Sequence, residues 1–254
     1  VTKVETFYMS DRGKVRQHNE DSVGVFNNEI GILAIVADGM GGHLAGDVAS
    51  QMTIQTFQSL WENVKQLDSP KDAENWFIHT ALEVNKTVYE HSLANPECQG
   101  MGTTIVGAII TEEFATIGHI GDSRCYLFTQ AGFTQITQDH SLVNELVKSG
   151  QISKEDAEHH PRKNVLLRAL GTEQTVELDV KTIGFEENDI LLICSDGLTN
   201  KLTDEEISSE LIKSHSLDII GKTLIDIANE NGGEDNISLV IVKRTANELG
   251  EASC

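Results

Sequence analysis

The chain has 254 residues, 39% of them hydrophobic, enough for one large domain or two small ones. Lys and Arg number 19 against 40 Asp and Glu, a formal charge of −21. A surface of that sign repels nucleic acid and anionic membrane, so neither is expected as a partner, and most of the acids are expected to be solvated exterior.

The N-terminal stretch VTKVETFYMSDRGKVRQHNED has no apolar segment of the kind a secretory signal carries. Strand-like runs follow as DSVGVF (21–26) and IGILAIVA (30–37). Residues 44–66 and 73–93 then read as two helices. Val48, Met52 and Phe57 fall near one face of the first, and Trp76, Phe77, Ala81, Val84 and Val88 recur at helical spacing in the second. MGTTIVGAII (101–110), FATIGHIG (114–121) and RCYLFT (124–129) are strand-like again. After a polar stretch at 141–170 come TVELDVKTI (175–183) and DILLICS (189–195). Two shorter helices are expected at 204–213 and 217–231, the latter stopped by Gly232-Gly233, and NISLVIVKR (236–244) closes the set. The longest apolar run, 30–37, is far short of the roughly 20 residues a membrane-crossing helix needs.

Strands come in neighbouring groups and helices in pairs, which argues against strict alternation and a doubly wound parallel sheet. The order fits an α/β sandwich, α-β-β-α, with two central, mainly antiparallel β-sheets flanked by helix pairs. A single domain is expected over 1–244, with 141–170 as a flap lobe and 245–254 as a short tail. Cys98, Cys125, Cys194 and Cys254 show no Cys-x-x-Cys spacing, which suits reduced thiols in a cytoplasmic protein.

The carboxylates at the ends of apolar runs stand out. Asp38 follows ILAIVA, Asp122 follows ATIGHIG, Asp196 follows LLICS, Asp235 precedes NISLVIV, and Glu20 and Asp21 precede SVGVF. If the fold gathers them, their repulsion raises their pKa values unless a cation intervenes. All-oxygen ligation suits Mg²⁺ or Mn²⁺, and Gly39 would let a carbonyl approach without a Cβ in the way. For any one of these aspartates a turn or helix cap is the commoner role; their recurrence favours metal.

RQHNED, VADGMGGHLAGD, GMGTTIVGA, HIGDSRCYL, TQDHSLV, CSDGLTN and GGEDNISLV, in that order, resemble the metal-dependent serine/threonine protein phosphatases of the type-2C family, closest to the small bacterial members of Gram-positive bacteria. The resemblance implies that Asp38 bridges two ions and Gly39 offers its carbonyl. Asp196 and Asp235 complete the first ion, Glu20 and Asp21 lie beside the second, and Asp122 shares a third with Asp196. Arg16 would hold the phosphate. Phosphoserine and phosphothreonine proteins, including a cognate serine/threonine kinase, are the implied substrates, and the protein is expected to act as a monomer. One departure is Met40, which stands where many eukaryotic members carry a histidine proposed as general acid; His43 is then the candidate. Ser123 and Ser195 lack a G-x-S-x-G setting and read as structural, as do His119 and His140.

Overall fold

The computed structural model describes residues 3–42 and 45–245. His43 and Cys254, both singled out in the sequence, lie outside the described residues, as does the tail beyond Thr245. The strands in chain order are β1 (Lys3–Asp11), β2 (Asp21–Asn27), β3 (Ile32–Met40), β4 (Gly102–Thr103), β5 (Ile105–Ile110) and β6 (Phe114–Ile120). They continue with β7 (Arg124–Thr129), β8 (Gly132–Gln135), β9 (Asp179–Gly184), β10 (Ile190–Cys194) and β11 (Ile237–Thr245). The helices are α1 (Ala45–Glu62), α2 (Pro70–Ala94), α3 (Leu142–Lys148), α4 (Lys154–Glu158), α5 (Asp196–Thr199), α6 (Asp204–Leu211) and α7 (Leu217–Glu230).

The apolar runs are continuous because both faces of each central strand are covered. In β3, Leu33, Ile35 and Ala37 pack towards α1 and α2, while Ala34 and Val36 point the other way. In β10, Ile190, Leu192 and Cys194 pack towards α5, α6 and α7, while Leu191 and Ile193 meet Ala34 and Val36 between the sheets. Three apolar layers therefore separate four structural ones, the α-β-β-α sandwich expected. One sheet has the order β1-β11-β10-β7-β8 and the other β2-β3-β5-β6-β9, with β4 beside β3. Every strand pair is antiparallel.

Local chemistry sets the helix starts. Ser69 caps α2 by accepting the Asp72 N–H, with Pro70 in the first turn, where its missing N–H costs nothing. Thr203 and Glu206 form a reciprocal capping box on α6. Among the described residues no helix is long and apolar enough to cross a membrane. Cys98, Cys125 and Cys194 are buried free thiols.

Two strands were not anticipated. β1 pairs with β11 along its whole length, and β8 pairs with β7. β3 also runs further than its apolar residues: Asp38, Gly39 and Met40 remain in the strand because Gly39 and Met40 pair with Thr103 and Gly102 of β4. The 141–170 stretch holds only α3, α4 and irregular chain, and its far end is pinned to the core where Leu170 exchanges backbone hydrogen bonds with Thr103.

Candidate metal centre

Antiparallel pairing explains why distant carboxylates meet. β2 begins where β3 ends, so Asp21 lies directly opposite Asp38 in the register. Asp122 follows β6, Asp196 opens α5 after β10, and Asp235 precedes β11. Asp38 feels Asp21, Asp196, Asp122 and Asp235, so all five predicted aspartates share one electrostatic neighbourhood.

The backbone around them is tightly held. Thr104 donates its N–H to the Asp38 carbonyl (2.8 Å), and its Oγ1 accepts the Asp38 N–H (3.1 Å). Thr103 Oγ1 also donates to that carbonyl (2.9 Å). The Gly39 N–H donates to the Glu20 carbonyl (3.1 Å), and a Cβ on Gly39 would fall 2.0 Å from the Gly46 carbonyl oxygen. Only glycine fits there. Ser195 Oγ donates to Asp21 Oδ2 (2.8 Å), and Asn200 Nδ2 to Asp196 Oδ2 (2.9 Å). Ser195 and Ser123, the latter on Thr104 Oγ1 at 2.8 Å, thus hold neighbours in place, the structural part read for them.

Arg16 lies at the exposed edge, its Nη2 donating to Asp235 Oδ2 (2.9 Å) and its Nη1 3.9 Å from Glu20 Oε2. Burial works to lower its pKa, but Asp235, Glu20 and Asp38 together outweigh that and raise it. Asn236 was not singled out in the sequence, yet it organises this edge. Its Oδ1 accepts the Glu20 N–H (2.8 Å), and its Nδ2 donates to the carbonyls of Arg12 (2.8 Å) and His18 (3.0 Å). Its place directly after Asp235 at a strand start was the available signal.

The electrostatics are those of crowded acids. Burial, with Asp196 and Asp235 adding to it, pushes Asp21 up to about 7 despite hydrogen bonds from Ser238 and Ser195. Burial and Asp196 push Asp122 up to about 8. Burial and the neighbouring aspartates raise Asp38 well above the usual carboxylate range. Asp196 rises through burial and Asp235, and Glu20 through burial, which Arg16 opposes. Three buried oxygens here have no hydrogen-bond partner: Glu20 Oε1, Asp21 Oδ1 and Asp196 Oδ1. Buried acceptors are normally satisfied, so these orphans are oxygens that could take a cation. The donor set, all oxygen, fits a hard divalent ion. His43 lies outside the described residues, so the candidate acid has no geometry to set beside these groups.

The model of the family described as Protein phosphatase 2C matches residues 12–232. The chain is 45% identical over 244 residues to the serine/threonine phosphatase stp of Listeria monocytogenes, covering 96% of this chain and 97% of that one. The solved serine/threonine phosphatase of S. agalactiae superposes with a TM-score of 0.90 at 38% identity, over 95% of this chain and 99% of that chain. The catalytic domain of the serine/threonine protein phosphatase PstP, solved in complex with two manganese ions, superposes with a TM-score of 0.84 at 32% identity, over 96% and 99% of the two chains.

Proposed function

The chain belongs to the protein phosphatase 2C family, and from that premise we propose that this metal-dependent serine/threonine phosphatase works at the cleft where its carboxylates converge. Asp38 would serve two ions, Mn²⁺ or Mg²⁺, with the Gly39 carbonyl beside it. Asp196 and Asp235 would complete the first ion and Glu20 and Asp21 flank the second. Asp122 with Asp196 would hold a third. When bound, such ions supply an activated water as nucleophile and neutralise charge on the phosphoryl oxygens.

The chain's own residues then orient and bind. Arg16 presents a planar donor fork at the cleft's edge, steadied by Asp235 and left with N–H groups to spare for a phosphate. Ser195 and Asn200 each occupy one oxygen of Asp21 and Asp196, leaving the other free to face an ion. His43, by its position after Asp38 in the chain, is the candidate to protonate the departing serine or threonine oxygen. Substrates are phosphoserine and phosphothreonine proteins, a cognate kinase among them, so that the enzyme reverses bacterial serine/threonine kinase signalling. It acts as a cytoplasmic monomer whose catalytic unit spans 1–244, with the 141–170 lobe at the cleft.

The observation that carries this reading is the pairing of Asp21 opposite Asp38 beside three unpartnered buried carboxylate oxygens. The test is hydrolysis of a phosphothreonine peptide after exhaustive chelation and again after adding Mn²⁺ or Mg²⁺. Loss and recovery are expected; full turnover in a verified metal-free preparation would overturn the reading.

A further inference from the structure

Among the described residues, one trio of possible metal-ligand atoms lies mutually within 4.8 Å, and it belongs to His119, His140 and Asp179. The hydrogen bonds around it argue for a different task. His140 is buried, and its Nδ1 accepts the Gly121 backbone N–H at 3.1 Å. A ring nitrogen that accepts a hydrogen bond carries no proton, so the proton sits on Nε2. That nitrogen lies 3.2 Å from Asp179 Oδ2, off the line of an ideal hydrogen bond. A cation on Nε2 would have to displace the proton while Nδ1 stayed engaged, leaving an anionic ring. His119 stacks on His140 at 4.6 Å, and its Nε2 lies 2.9 Å from the Gln138 carbonyl, which only an N–H can satisfy.

What His140 does hold is the peptide before Asp122. Its own backbone N–H donates to the Gly121 carbonyl (2.8 Å), so one histidine grips residue 121 from both sides. Gly121 has φ +109°, and a Cβ there would fall 2.6 Å from Thr104 Cγ2. On the other flank Ser123 Oγ bonds Thr104 Oγ1, the same oxygen that holds the Asp38 N–H. The far side of His140 belongs to the lobe. Its carbonyl accepts the Leu167 N–H (2.8 Å), and Arg168 Nη1 donates to Asp179 Oδ1 (3.0 Å). The chain enters the lobe at Ser141, the next residue, where it bridges to Leu166. Both ends of the lobe are thus fastened at one histidine.

We propose that His140 is a positioning residue that sets the Asp122 carboxylate through Gly121 and, through Leu167 and the Asp179–Arg168 pair, ties it to the lobe. The inference rests on the reading of Asp122 as a ligand of a divalent cation. Groups that orient metal ligands from behind typically change metal affinity about 10–100-fold when altered.

Two substitutions separate the two sides of the ring. His140→Asn keeps an acceptor near the Nδ1 position but is too short to reach Asp179. His140→Gln reaches towards Asp179 but offers nothing at Nδ1. The full-length chain is followed by amide exchange at Gly121, by Mn²⁺ calorimetry and by the Mn²⁺ dependence of phosphothreonine-peptide hydrolysis. His140→Gln is expected to speed Gly121 exchange and to weaken, roughly 10-fold, the same Mn²⁺ step that Asp122→Ala weakens. His140→Asn is expected to keep Gly121 exchange near the parent's value and, having lost only the Asp179 side, to shift the Mn²⁺ step by no more than Asp179→Asn does. Asp179→Asn should shift that Mn²⁺ step in the same direction by less. Unchanged exchange and Mn²⁺ binding in His140→Gln overturn the proposal. So does an equal loss in both His140 variants with equal falls in Tm, the mark of simple packing. An unchanged isotherm in Asp179→Asn removes the lobe from it. If Asp122→Ala leaves the isotherm intact, the ligand reading of Asp122 fails instead, and Gly121 exchange alone decides whether His140 holds that peptide.

Discussion

Asp21 and Asp38 are register partners on adjacent strands, and like charges directly opposite one another destabilise a sheet. Nothing in the apolar packing of β2 and β3 requires two acids there. A bound cation turns the same arrangement from repulsion into a cradle. Asp38→Asn should therefore have opposite effects on function and on the metal-free fold. Turnover is expected to vanish, while the chelated protein is expected to gain up to about 1 kcal/mol, a rise in Tm of roughly 2–4 °C for a chain this size. A lower Tm in chelator would show that Asp38 supports the fold without metal. The departing group gives a second prediction. A serine or threonine alkoxide leaves poorly without a proton, whereas nitrophenolate leaves readily, and a positioned general acid is worth about 10²–10⁴-fold. His43→Ala should slow a phosphothreonine peptide far more than p-nitrophenyl phosphate, and equal losses on both would point away from acid catalysis. The candidate carboxylates were legible because each stands at the end of an apolar run within an ordered set of motifs. That Asp21 faces Asp38 was not, because register is a relation between strands that no local spacing encodes. Asn236 escaped for a similar reason: its partners, Arg12, His18 and Glu20, lie more than 200 residues away in the chain.

At the scale of elements, strands covered on both faces were the easiest to read, since β3, β5, β10 and β11 are near-continuous apolar runs. β1 was missed because it is an edge strand. KVETFYMSD buries little, with Phe7 and Met9 packed on the helix-side core, Val4 on the inter-sheet core and Tyr8 exposed. β8, four residues at the opposite edge, carries no pattern long enough to detect. The end of β3 was misjudged because its last residues are held by pairing with β4 rather than by apolar burial. That pairing brings the Gly39 backbone against Gly46 at the start of α1 and against Glu20 before β2. A methyl group on Gly39 would meet backbone oxygens at 2.0 Å and 2.5 Å, and backbone cannot swing aside as a side chain does. Gly39→Ala is expected to cost about 1–3 kcal/mol, read by chemical denaturation in chelator, and to weaken Mn²⁺ binding because Glu20 and Asp38 must separate. Stability and Mn²⁺ affinity equal to the parent's would mean that the three segments are less closely joined than their contacts indicate.

For the molecule as a whole, the crowded acids link stability, pH and metal. Asp21 and Asp122 are pushed up to about 7 and about 8 in the folded chain, against about 3.9 for an aspartate in an unfolded one. Below pH 4 both states hold these protons, and the associated stability is fully present. Between pH 4 and 7–8 the unfolded chain releases them while the folded chain keeps them. The folded state then binds more protons, so stability falls as pH rises. Each proton so retained steepens the loss by about 1.4 kcal/mol per pH unit. Repulsion within a chain of formal charge −21 acts in the same direction as its carboxylates ionise. Divalent cations oppose both effects, because they bind the ionised carboxylates and so bind more tightly as pH rises. At a hundred times its Kd, a single bound ion contributes about 2.7 kcal/mol, or roughly 5–10 °C in Tm for a chain this size. Thermal melts from pH 5 to 8 should therefore slope downwards in chelator and flatten or turn upwards in saturating Mn²⁺, with the gap between the two curves widest at pH 8. A metal-free Tm that climbs across the same range would mean that the carboxylates are already ionised in the empty fold, held apart or solvated well enough to need no cation.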